Sequence, residues 1–129
     1  MSMPEHFRIE EGYVCYRPEG RTSLQEAIRL ISVAISYSRL NGIRRLFVDA
    51  TGLVGFDAPT VLERFQLGEQ FALDAEAQVK VAFLFRPELI DPELFGVMVA
   101  QNRGLDGNTF SSESEALAWL LDSSVGPQP

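Results

Sequence analysis

Two carboxylates, Asp49 and Asp57, flank a loop containing Thr51, Gly52 and Gly55, and they are the acids of this chain best placed to do chemistry. Asp49 closes the apolar run Leu46-Phe47-Val48, which reads as a strand covered on both faces. An acid at such a strand end can hold a magnesium ion or accept a phosphoryl group. That chemistry needs helpers. A phosphoacceptor site wants two further acids at the end of the preceding strand, where Arg17-Pro18-Glu19 supplies one. A phosphoaspartate hydrolase wants a second Asp two residues on, where Thr51 stands. Phosphotransfer at Asp49 is therefore the weakest of three functional readings. The plainer roles are Asp49 bonding loop amides and Asp57 capping a helix.

The other reactive side chains carry less. His6 is the single histidine, and without a second histidine or a cysteine cluster a zinc site is not expected; a Ser-His-Asp triad would need a positioned serine beside it, and no Gly-x-Ser-x-Gly elbow is present. Cys15, between Val14 and Tyr16, is expected to pack as a small core residue. Neither Gly-x-Gly-x-x-Gly nor Gly-Lys-Ser/Thr occurs, so nucleotide phosphates have no cradle. The expectation is a protein without catalysis, metal or cofactor.

The elements that position these residues follow from composition and periodicity. With 129 residues and 46% hydrophobic usage, the chain suits a single globular domain over 1–129, with 123–129 a loose tail. Eleven cations against 18 acids give a formal charge of −7, which disfavours nucleic acid and anionic membrane surfaces. The opening Met-Ser-Met-Pro-Glu-His is no signal peptide, and no apolar stretch approaches the roughly 20 residues of a membrane span. One cysteine permits no intrachain disulfide. A cytoplasmic location, with no membrane insertion, is the simplest expectation.

Phe7-Arg8-Ile9 and Tyr13 to Tyr16 alternate as strands about the turn Glu10-Glu11-Gly12, and Pro18-Glu19-Gly20 ends the hairpin. Thr22/Gln25 or Ser23/Glu26 then opens a helix that runs to Leu40 and stops at Asn41-Gly42. Leu24, Ala27, Ile28, Ile31, Ala34 and Ile35 form its core face. A second stripe, Leu30, Val33, Tyr37 and Leu40, is a candidate association surface for a homodimer, or else the flank of a deeply set helix. After the strand ending at Asp49, the spacing predicts a helix from Ala58 to Ala75 with Asp57 as N-cap and Pro59 in its first turn. Val61, Leu62, Phe65, Glu69 and Ala72 hold one helical spacing, with Leu67 and Phe71 off it and a close contact or bend expected at Gly68. Gln78 to Phe85 is a buried strand. Asp91-Pro92-Glu93 reads as a helix start, with Leu94, Phe95, Met98 and Val99 carried to Arg103-Gly104. A short strand Asn108-Thr109-Phe110 precedes a last helix capped by Ser112 and Glu115 and anchored by Trp119. The fold class is α/β: a mixed, mostly parallel sheet of about five strands with about four helices, in the order ββαβαβαβα, with the first strand antiparallel at an edge.

This order and the central corner resemble the STAS domain, the superfamily of sulfate transporters and anti-sigma factor antagonists. Asp49, Thr51, Phe56 and Asp57 fall without a gap on its pattern of strand-ending Asp, small hydroxyl residue, hydrophobic pair and helix-opening Asp. The ending Thr-Phe-Ser-Ser-Glu-Ser-Glu-Ala-Leu-Ala-Trp-Leu is similar to the SpoIIAA-like branch, small stand-alone bacterial domains. The resemblance covers roughly Phe7 to Leu121. It implies a non-catalytic module acting through an unknown protein partner and, in related folds, sometimes through a lipid or other apolar ligand. Where the family has its phosphorylatable serine, Ala58 and Pro59 stand, so the serine switch does not carry over, and Thr60 is the nearest hydroxyl. The leading expectation is a partner-binding module with Asp49, Thr51, Gly52, Phe56, Asp57, Ala58, Pro59 and Thr60 as recognition loop. The second is a carrier or sensor of a small apolar ligand. It is motivated by Phe56, Phe65, Phe71, Phe95 and Trp119, which either line a pocket or fill the core.

Overall fold

The structure, a computed structural model, describes residues 3–122; the expected tail 123–129 lies outside the described residues. Strands β1 (Phe7–Glu10), β2 (Tyr13–Tyr16), β4 (Arg45–Asp49), β6 (Lys80–Leu84) and β7 (Asp106–Phe110) form one sheet in the order β1-β2-β4-β6-β7. β1 runs antiparallel to β2 at the edge, and the other pairings are parallel. The expected α/β class holds: one domain, a mixed and mostly parallel five-stranded sheet, and four helices. β4 is the middle strand, with Leu46, Phe47 and Val48 fully buried. Among the described residues no helix is long and apolar enough to cross a membrane.

Two strands were missing from the expected order. β3 (Glu19–Arg21) and β5 (Gly52–Val54) pair in parallel as a second, two-stranded sheet. They leave the carboxyl ends of the neighbouring strands β2 and β4, so they extend that edge as a short flap. Their exposed, glycine-bearing sequences lack the apolar alternation that marks a strand, and only Leu53 is deeply buried. Gly55 ends the flap at φ +102, where a Cβ would meet Arg21 Cγ at 2.8 Å and the Thr22 carbonyl oxygen at 3.0 Å.

Strand alternation sorts the core into two faces. Val14, Tyr16, Leu46, Val48, Val81 and Phe83 point to one face, covered by α1 (Leu24–Leu40), α2 (Val61–Ala75) and α3 (Phe95–Asn102). Cys15, Phe47, Ala82 and Leu84 point to the other, covered by α4 (Glu113–Leu121) alone through Ala116 and Leu120. α1 starts at Ser23, whose hydroxyl accepts from the Glu26 amide, and buries Ala27, Ile31, Ala34 and Ile35 as its periodicity demands. Half of its second stripe is used inside the domain. Leu30 and Tyr37 pack on the core, and the Tyr37 ring meets Phe7 edge-on at 5.3 Å. Val33 is half-buried and Leu40 is 60% exposed.

The second and third helices depart from expectation in start and in rotation. α2 begins at Val61, not Ala58, and its N-cap is Thr60 rather than Asp57. Pro59 disfavours helical backbone at Ala58, and Thr60 with Glu63 makes a reciprocal capping box, with bonds of 3.2 and 2.8 Å. The core face is Gly68, Phe71, Ala72 and Ala75, while Val61 and Leu62 are 69% and 64% exposed. Gly68 fixes this rotation. A Cβ there would sit 2.8 Å from the Gly96 carbonyl oxygen and 3.3 Å from the Ala100 nitrogen, so the α2 and α3 backbones touch at this point. α3 begins at Phe95, because Asp91-Pro92-Glu93 forms a turn instead: the Asp91 carboxylate accepts from the Glu93 and Phe95 amides. Leu94 then takes the left-handed conformation at φ 56. Of the expected apolar residues Leu94, Phe95, Met98 and Val99, Val99 is buried, whereas Leu94 and Met98 are 39% and 53% exposed; Ala100 is buried beside Val99.

Candidate functional site

The expected recognition loop divides in two, one part for each face of the sheet. Its polar part is a closed structural network. Asp49 Oδ1 accepts from the Thr51 amide at 3.0 Å and from the Thr51 hydroxyl at 2.6 Å. Asp49 Oδ2 accepts from Arg17 Nη1 at 2.6 Å. Arg17 also grips Glu113, the first residue of α4, through two bonds of 3.0 Å, and its guanidinium lies 5.3 Å over the Phe47 ring. The Glu113 carboxylate and then Asp49 hold Arg17 well above its ordinary value, against the opposing pull of burial. Both oxygens of Asp49 are therefore engaged, as the loop-bonding role anticipates. Asp57 and Ala58 are exposed, and Asp57 is not drawn to Asp49 by any hydrogen bond among the described residues. Thr60 is spent as a cap.

The apolar part of the loop faces the other way and forms one wall of a partly open cavity of about 110 Å³. Ala50, Leu53, Phe56 and Pro59 come from the corner. Leu24, Ala27, Ile28 and Ile31 come from α1; Arg64, Leu67, Gly68 and Phe71 from α2; Gly96, Val97 and Ala100 from α3. The sheet supplies Phe83 and Thr109, Phe85 follows directly on β6, and the segment 89–94 closes the rim through Leu89, Ile90, Asp91 and Leu94. The lining mixes buried and half-buried residues with the exposed Leu94, and the cavity lies under the carboxyl edge of the sheet, where open α/β sheets hold their ligands. Phe71 stacks on Phe83 at 5.5 Å and Phe83 on Phe85 at 5.9 Å, an aromatic row along one side.

Charge is sparse here. Arg64 Nη1 donates to the Leu89 carbonyl at 3.2 Å. The Glu93 and Phe95 amides hold the Asp91 carboxyl below its ordinary value, and the charge of Arg64 assists. Thr109 is the one hydroxyl residue of the lining, in register with Phe83, and its Oγ1 is buried without a hydrogen-bond partner. Among the described residues no group of histidine, cysteine or acids could hold a metal ion. Cys15 is buried on the other face, and burial pushes its thiol up, which makes it a poor nucleophile at neutral pH.

Of the aromatics singled out in the sequence, Phe56 and Phe71 line the cavity and three do not. Phe65 is half-buried and lies under the Arg103 guanidinium at 5.7 Å. Phe95 is half-buried outside the lining. Trp119 packs on the opposite face, tilted against Phe110 at 5.6 Å, with Lys80 Nζ 4.4 Å over its ring. Sequence reasoning missed Phe83, Phe85, Leu89, Ile90 and Thr109. The alternation of Phe83 with Phe85 was a usable signal, and so was Leu67 with Phe71 lying off the expected stripe. No family model matches the chain, and no match is found among curated proteins.

Proposed function

We propose that this chain is a non-catalytic, STAS-like binding module, and that what it binds first is a small apolar molecule in the cavity behind the Asp49–Thr60 corner. The observation that carries this reading is the cavity itself: about 110 Å³, lined mostly by aliphatic and aromatic side chains at the carboxyl edge of a mostly parallel sheet. Drug-sized ligands occupy roughly 300–1,000 Å³, whereas an apolar void of about 150 Å³ stays dry and takes a benzene-sized guest. The space here suits the small end of that range. Engagement of both Asp49 oxygens supports the absence of phosphotransfer, since a carboxylate tied to Arg17 and Thr51 is a poor nucleophile.

The corner gives such a ligand a way to be sensed. Phe56 and Pro59 touch the cavity, while the adjoining Asp57, Ala58, Val61 and Leu62 face solvent. Exposed apolar side chains next to an acid are suitable contacts for a protein partner, which is the second reading and is compatible with the first. Titration of the isotopically labelled protein with toluene, followed by NMR, tests the proposal. The expected outcome is saturable shifts at Phe71 and Phe83 that extend to the amides of residues 56–62. Absence of any saturable shift at the cavity would remove the ligand reading and leave the exposed corner, probed by Leu62→Asp, as the surface to examine.

A further inference from the structure

We infer that the open edge of β1 pairs with the same edge of a second copy of this chain, antiparallel and across a two-fold axis through Ile9. The sheet then runs on from one copy into the next, whatever the cavity holds. Glu10 and Tyr13 flank the hairpin turn, and upstream the Arg17 amide donates to the His6 carbonyl at 3.2 Å. Ladder alternation therefore turns the backbone groups of Arg8 and Glu10 toward β2. Those of Phe7 and Ile9 point away from the sheet, and among the described residues nothing bonds to them. The opposite edge is guarded. On β7 the Gly107 carbonyl accepts from Gln101 Nε2 at 2.9 Å, and the Thr109 amide donates to Asn108 Oδ1 at 2.8 Å. β1 has no such cover, and neither proline, lysine nor bulge interrupts it.

Charge selects both the occupant and the register. The outward groups of Phe7 and Ile9 allow antiparallel two-folds through Arg8, Ile9 or Glu10. The first sets Arg8 against Arg8 and the last sets Glu10 against Glu10, and like charges directly opposite repel. Only the axis through Ile9 sets Arg8 against Glu10 of the second copy, and it does so twice. Arg8 already pairs with Glu10 of its own strand at 2.7 Å, so the four side chains close a ring of alternating charges on one face of the joined sheet. On the other face Ile9, 75% exposed, meets Ile9 of the second copy. α1 covers that face, its Tyr37 touching Phe7, and Leu40, exposed one turn further on, extends the apolar surface. A net charge of −7 makes copies repel in general, so an edge that presents both signs in register is where they can meet.

Sedimentation equilibrium of the full chain tests the pairing. The interface is small, so the expected outcome is a reversible dimer with a Kd of roughly 10–100 μM. Arg8→Glu or Glu10→Arg alone should weaken it about ten-fold or more. The two exchanges together re-form the ring and should restore the dimer to within about three-fold of native. Ile9→Pro removes an amide that the monomer does not use and should abolish the dimer, with urea midpoints close to native in every variant. A monomer up to about 1 mM would overturn the proposal. So would slow exchange of the Ile9 amide at every concentration, which would mean that the edge is covered from within the chain. A dimer that persists unchanged in the variants would place the contact elsewhere, and one that the double exchange fails to restore would overturn the register through Ile9.

Discussion

The two faces of the sheet are built on the same strands and closed in different ways. On one face a single helix, α4, lies against Cys15, Phe47, Ala82 and Leu84, and both its ends are pinned by charge. Arg17 holds Glu113 at its start; at its end Lys80 Nζ donates to the Trp119 and Asp122 carbonyls at 2.8 and 3.2 Å, where the helix dipole favours a cation. On the other face three helices must share the sheet. α2 and α3 meet backbone to backbone at Gly68, and an ion pair from Arg103 to Glu69 at 2.8 Å ties the pair further along. Two helices fixed to each other cannot also settle fully onto the strands and α1, and the cavity is the space that remains. One helix can optimise its fit; three constrain one another. Binding capacity arises on the face whose packing is a compromise.

That contrast makes predictions, and the largest concerns the tightly packed face. Leu120 is fully buried, and Leu120→Ala should cost about 4 kcal/mol in urea unfolding because little around it can relax. A cost near 1 kcal/mol would mean that this face also carries spare space. Next comes a matched pair. Ala116→Leu, at a fully buried position on the sheet side of α4, should destabilise by about 2 kcal/mol. Ala27→Leu, directed at the cavity wall, should stabilise by about 1 kcal/mol and abolish toluene binding. Equal signs for the two substitutions would refute the difference between the faces.

Smaller effects sharpen it. Arg17→Ala should cost under about 1 kcal/mol, since Arg17 is 44% exposed, and the loss should shrink at high salt. A salt-independent loss would point to the contact with Phe47 instead. The smallest effect lies at the cavity rim. Asp91 titrates below its ordinary 3.8 in the folded protein because the Glu93 and Phe95 amides bond its carboxylate. Its contribution is therefore complete above 3.8 and is lost as the pH falls through the lower folded value. Amide exchange at the start of α3 should accelerate over that acid range in the native chain, and Asp91→Asn should flatten the profile.

Much of the architecture was legible in the chain. Local signals carried it: the buried run Leu46 to Val48, the caps at Ser23 and Ser112, and the stops at Gly42 and Gly104 are recognisable because each depends on a few neighbouring residues. The corner around Asp49 was also legible as a place, and the bond from the Thr51 amide to Asp49 is the loop contact that an acid at a strand end suggests. Helix rotation was not. Val61, Leu62 and Phe65 held a valid helical spacing, yet the face was chosen by Gly68 meeting Gly96, a contact between residues far apart in sequence. The flap of β3 and β5 escaped for the same reason, since each strand exists only because the other lies beside it.

Sequence alone thus determined the α/β class, the position of the central strand and the corner at its carboxyl end. Hydrophobic periodicity and capping are short-range properties of a chain, and they were enough for that much. Only the tertiary structure decided that Asp49 turns toward Arg17 and α4 while Phe56 and Pro59 turn toward a cavity. It alone joined Thr109 to Phe71, Phe83 and Arg64 in one wall. A cavity is what several elements leave unfilled when each has met its own constraints, and no single segment encodes that remainder.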